Sequence, residues 1–151
     1  MAAKTKTAAQ MRRELAQLRA AIAPLENFKA QAPSPYQQFA VNFMRANFPL
    51  SPEIDKKVTY TFALAKEGRP WGQVIFTHDA STIPVTLFGY DEETSIKTTI
   101  HEYFHVLQYQ RSGKHFIYAN RMACEIETEV FTRETFPRLE QEYNAFLKEA
   151  A

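Results

Sequence analysis

The stretch Asp91–Leu107, DEETSIKTTIHEYFHVL, reads as the greater part of one long helix. Asp91, Glu92 and Glu93 place negative charge where the unpaired N–H groups of a helix N-terminus attract it. Ile96, Ile100, Tyr103, Phe104 and Leu107 then recur at helical spacing and form one buried face. Gly113 stands where a helix stop belongs, so the helix is expected over Glu92 to Arg111.

Upstream, the period of the apolar residues changes. Val58, Tyr60, Phe62 and Leu64 alternate with Thr59, Thr61 and Ala63, which predicts a strand whose four large residues face inward. Gly68 and Pro70 mark a turn within Lys66 to Pro70; Trp71 to Phe76 and Ile83 to Phe88 follow as two further strands. Before them, Ser34, Pro35 and Gln37 supply a capping residue, a proline at the first helical position and a capping-box partner. That helix should run to about Asn47 and bury Phe39, Phe43 and Met44, with a short helical turn after Ser51. Beyond Gly113, one helix is expected from near Asn120 to just before Pro137 and another over Leu139 to Leu147. Helices on both sides of a small, mainly antiparallel sheet make the fold class α+β.

At the N-terminus, Met11, Leu15, Leu18, Ile22 and Leu25 recur at alternating steps of four and three, the stripe of a helix over Ala8 to Ala23 that Pro24 ends or kinks. The stripe suits packing on the chain's own core, or self-association through the N-terminal helix; two heptads are too few to favour a partner helix. Gln31 to Pro35 reads as a connector. Residues 1–32 are therefore expected to form a helix and linker, and residues 33–151 the domain that carries the chemistry.

With 151 residues and 45% hydrophobic content, the chain suits one domain with a single core. Its 18 Lys and Arg against 17 Asp and Glu leave no field that would draw it to nucleic acid or an anionic membrane. Cys124 is the only cysteine, which excludes an internal disulfide and fits a reducing, cytoplasmic setting. Charged residues at Arg12, Arg13, Glu14 and Arg19 interrupt any secretory signal, and no run of about 18 apolar residues offers a membrane span.

Within the long helix lies His101-Glu102-Tyr103-Phe104-His105, the pattern H-E-x-x-H. Residues four apart stand one above the other, so both imidazoles can converge on one ion at zinc–nitrogen distances. Glu102 is rotated by about 100° from His101 and lies beside that ion, where it can act as general base toward a water that the ion activates. Hydrolytic zinc sites use three protein ligands and leave one position open. The missing ligand is sought on the next helix, in Cys124-Glu125-Ile126-Glu127-Thr128-Glu129. Glu125 and Glu127 point about 200° apart, so only one can face the ion, and Glu125 is preferred.

H-E-x-x-H followed about 20 or more residues later by a helical glutamate resembles the gluzincin branch of the zincin metallopeptidases, over roughly residues 83 to 132. In that group an acidic residue often follows the glutamate by four positions, the relation of Glu125 to Glu129. The resemblance implies a zincin-like fold and a zinc-dependent peptidase acting on a peptide or protein. His101, His105 and Glu125 would hold one zinc ion, Glu102 would be the general base, and Glu129 would orient a ligand histidine. No motif marks the group that steadies the oxyanion; Tyr118 is the candidate by position, with Tyr109 and His115 beside it. An extended substrate would add as a strand at the sheet edge, most simply along Ile83 to Phe88. The chain is short for a deep, two-lobed substrate cleft, which fits a minimal protease or one that needs a partner. The alternative is a catalytically silent module that keeps the metal site and binds a partner.

Other residues have plainer readings. Cys124 suits a small buried side chain better than a nucleophile. His78 reads as a solvated turn residue, and Trp71 as core.

Overall fold

The computed structural model describes residues 7–14, 30–64, 71–77 and 81–151. The elements are a helix α1 (residues 8–14), β1 (Ala30–Gln31), α2 (Pro35–Asn47), α3 (Pro52–Asp55), β2 (Val58–Leu64), β3 (Gly72–Val74), β4 (Ile83–Gly89), α4 (Glu92–Ala119) and α5 (Arg121–Ala150). The fold is α+β, with five helices and a small mixed sheet among the described residues. Most of the N-terminal apolar stripe, the turn at residues 66–70 and His78 lie outside the described residues. No helix of the described residues is long and apolar enough to cross a membrane.

The capping chemistry read from the sequence is present. Ser34 Oγ accepts from the Gln37 backbone N–H while the Gln37 side chain accepts from the Ser34 N–H, closing the capping box of α2. Ser51 caps α3, and Asp91 accepts from the Thr94 backbone N–H at 2.8 Å to start α4.

The sheet departs from the expected pattern. Its order is β1-β2-β4-β3, and the longest pairing, β2 with β4, is parallel from Val58↔Ile83 to Leu64↔Gly89. Only the short β1–β2 and β3–β4 pairings are antiparallel, so the mainly antiparallel sheet is corrected to a mixed one. Leaving β2, the chain takes the far edge as β3 and then inserts β4 between them. β3 runs opposite to β2, so β4, antiparallel to β3, lies parallel to β2. Period two tells which side chains share a face and is silent about neighbours. The near-continuous apolar run of β4 was the available clue, since a strand buried on both faces loses its alternation.

Two further readings change. Leu64 is 62% exposed while Ala63 is buried, because at this end of β2 the covered face is the opposite one. Gln31, read as connector, pairs with Phe62 as part of β1.

α4 is the centre of the domain and meets β3, β4, α2 and α5. Ile96, Ile100, Tyr103 and Val106 pack with Val85 and Leu87 of β4 and Phe43 and Met44 of α2 in one core. Gly113 interrupts α4 with φ 80° and ψ 165°, a conformation open essentially to glycine alone. The stop was read correctly, but six more helical residues follow it, up to Ala119, before the chain turns into α5. A Cβ at Gly113 would meet nothing within 4 Å, so Gly113→Ala is expected to cost about 1–3 kcal/mol through backbone strain alone. Urea denaturation of the two proteins measures it.

α5 corrects the expected break at Pro137: it is a single helix of 30 residues with Pro137 inside. Proline removes one helical N–H donor, a local cost of about 3 kcal/mol. Leu139 and Tyr143 beyond it are buried in the core, and that burial holds the last turns in line with the first.

Candidate metal centre

His101 and His105 lie one helical turn apart on α4, with their Nε2 atoms 3.2 Å from each other. α5 folds back along α4, held by the stacked rings of Phe104 and Phe131 at 4.1 Å, worth about 0.5–1.5 kcal/mol beyond simple burial. This return carries Glu125 to the imidazoles: its carboxylate oxygens lie 3.4 Å from His101 Nε2 and 3.1 Å from His105 Nε2. One ligand atom from each of the three residues falls within 4.8 Å of the others. Two imidazole nitrogens and one carboxylate oxygen are donor types that suit zinc, so the residues present fit such an ion.

The protonation of His101 suits ligation. Burial, and then the neighbouring His105, hold it below the usual imidazole range, against the opposing pull of Glu125 and Glu129. A neutral ring keeps a lone pair free for an ion.

Glu127 faces elsewhere. It accepts from Arg111 at 2.7 and 3.2 Å and from Gln108 at 3.0 Å, and these bonds, Arg111 foremost, lower its pKa. Glu125 is thus the glutamate brought to the imidazoles, and Glu127 is the one that ties α5 to the end of α4.

Glu102 is 8% exposed beside His101, on the wall of a cavity of about 620 Å³ between α4, β3 and α5. Burial first, then the negative charge of Glu125, push its carboxyl up to about 8. Gly72 of β3 stands against it. A Cβ there would come within 2.7 Å of Glu102 Cγ and 2.8 Å of Thr98 Cγ2, so only glycine lets this strand approach so closely. Gly72→Ala is expected to displace the Glu102 carboxylate, lowering any Glu102-dependent turnover by ~10²-fold while leaving ion binding unchanged. Turnover and metal content, measured side by side, check both halves.

The remaining sequence candidates fall in different places. Glu129 lines the cavity with His101 but hydrogen-bonds to neither imidazole among the described residues. Tyr118 and His115 are exposed, and Tyr109 stacks on Phe76 at 4.8 Å; none of the three lines this cavity. Cys124 is buried and free, as read. Trp71, expected in the core, is 61% exposed on the cavity wall, because it precedes a short strand that is an edge of the sheet among the described residues.

Sequence reasoning passed over Gln108, which is 2.9 Å from His105 Nδ1 through its Oε1. The signal was a polar residue three positions after His105, on the same side of the helix. Arg133 was also missed; it lines the cavity and, among the described residues, pairs with no carboxylate.

No family model, curated protein or solved structure shows a significant match to this chain.

Proposed function

We propose that this chain is a zincin-like, zinc-dependent peptidase of the gluzincin type, in which His101, His105 and Glu125 hold one zinc ion and Glu102 is the general base. The observation that carries this reading is the meeting of those three side chains beside a buried carboxylate on the wall of one cavity. Bound zinc supplies a Lewis acid that polarises a carbonyl and lowers the pKa of water from 15.7 to about 7.

The chain's own residues do the rest. Glu102 would take a proton from the attacking water and deliver it to the leaving amine; a bound dication would favour the ionised carboxylate this needs, against the burial that raises the carboxyl in the metal-free chain. Gly72 leaves room for the Glu102 stem, where any larger residue would meet it. Arg133 offers a cation for the oxygen that gains charge during attack, or for a substrate carboxylate.

An extended substrate adds to β3 and not to Ile83–Phe88, the segment expected from sequence. β4 has both its edges occupied by β2 and β3, whereas β3 pairs on one edge only among the described residues, beside the cavity. Peptide substrate, one zinc ion and a cytoplasmic setting, without nucleic acid or membrane partners, complete the proposal.

The test is zinc content per chain in purified protein, together with cleavage of a mixed peptide library before and after chelation. About one zinc per chain and cleavage lost on chelation support the proposal. Protein that stays metal-free in added zinc overturns it; a zinc-loaded chain that cleaves nothing leaves the binding module in its place.

A further inference from the structure

We propose that Gln108 is a positioning residue that fixes the tautomer of His105 and ties this ring to the helix carrying Glu125. Gln108 is 1% exposed, and its amide is satisfied on every side. Nε2 donates to the Cys124 backbone carbonyl at 2.9 Å and to Glu127 Oε1 at 3.0 Å. Both partners are acceptors only, so the NH2 group belongs on the α5 side and Oε1 faces His105.

That orientation has one consequence for the ring. Oε1 cannot donate, so the hydrogen in the 2.9 Å contact sits on His105 Nδ1. Nε2 is then the ring nitrogen that faces Glu125 and His101: it offers its lone pair to an ion held there, and donates to the Glu125 carboxylate at 3.1 Å where no ion intervenes. Arg111 completes the chain of contacts by gripping Glu127 in two hydrogen bonds. Gln108 therefore bonds α5 at Cys124 and Glu127, the residues on either side of Glu125 and Ile126, and the same amide sets both the ring and the register of the carboxylate opposite it.

The part of this role that concerns ligation by Nε2 rests on the zinc reading above; the hydrogen on Nδ1 does not. The test combines long-range ¹H–¹⁵N spectra of the histidine rings in chelated protein, zinc affinity by competition with a chelating dye, and thermal melting. Wild type is expected to show His105 protonated on Nδ1. Gln108→Met, which removes donor and acceptor, should let both tautomers populate and weaken zinc binding by ~10–100-fold. Gln108→Glu keeps the acceptor and sets a charge against Glu127; it should melt lower, yet retain the Nδ1–H form and recover most of the affinity. A purely structural role predicts that melting temperature alone changes in both variants.

A wild-type ring that carries no hydrogen on Nδ1, or Gln108→Met binding zinc like wild type, overturns the proposal. Should Gln108→Met fail to fold, the wild-type spectrum and Gln108→Glu decide it. A chain that binds no zinc removes the peptidase reading, and the wild-type spectrum still decides the tautomer.

Discussion

Glu102→Gln should lower peptide cleavage by ~10²–10⁴-fold while zinc stays bound, because the amide matches the carboxylate in shape but cannot take a proton. The same substitution reports on pH. The Glu102 carboxyl sits at about 8 in the folded chain, against an ordinary value of 4.5. A carboxyl raised on folding favours the folded state most fully below its unfolded value and loses that advantage as pH rises through the folded one. Chelated wild type should therefore lose stability between about pH 5 and 8 relative to Glu102→Gln, with the two melting curves diverging as pH climbs. Parallel curves would mean that Glu102 is not held in its protonated form. In zinc-loaded protein the difference should shrink, since a nearby dication favours the ionised carboxylate. Retained cleavage in Glu102→Gln would leave the chain without its proposed base.

Glu125→Gln and Glu127→Gln form the second test, and their outcomes should be opposite. Loss of the Glu125 carboxylate removes a charged donor from the cluster, and zinc affinity should fall by more than the ~10–100-fold typical of groups that merely support a ligand. Activity should fall with occupancy. Glu127→Gln keeps an acceptor for Gln108 and gives up only the charge that pairs with half-exposed Arg111, an interaction worth ~0–1 kcal/mol at a surface. It should bind zinc like wild type and melt slightly lower. Titration of each variant with zinc against a competing dye separates them. Equal affinities would dissolve the distinction between the two glutamates on which the site depends.

The motif and the helix that carries it were legible because the necessary relations are local. His101 and His105 are four residues apart, and helical geometry alone puts them on one face; Asp91 and Gly113 announce where that face begins and breaks. The capping box at Ser34 was equally local. Pro137 shows where local reasoning stops: its helix-breaking tendency is real, but Leu139 and Tyr143 are buried whether or not their own turn prefers to be helical.

By itself, then, the sequence determined the α+β class, the extent of α2, the strand at β2 and the two-histidine face of α4. Only the tertiary structure decided that β4 lies between β2 and β3, that β3 is the edge strand beside Glu102 among the described residues, and that Glu125 meets the imidazoles while Glu127 turns to Arg111. It also revealed Gln108 between His105 and α5. The division follows from chain distance: spacing along one element fixes which residues share a face. Which faces meet depends on the packing of elements far apart in sequence, where the burial of Phe131, Leu139 and Tyr143 sets the register of α5 against α4 and so chooses the carboxylate.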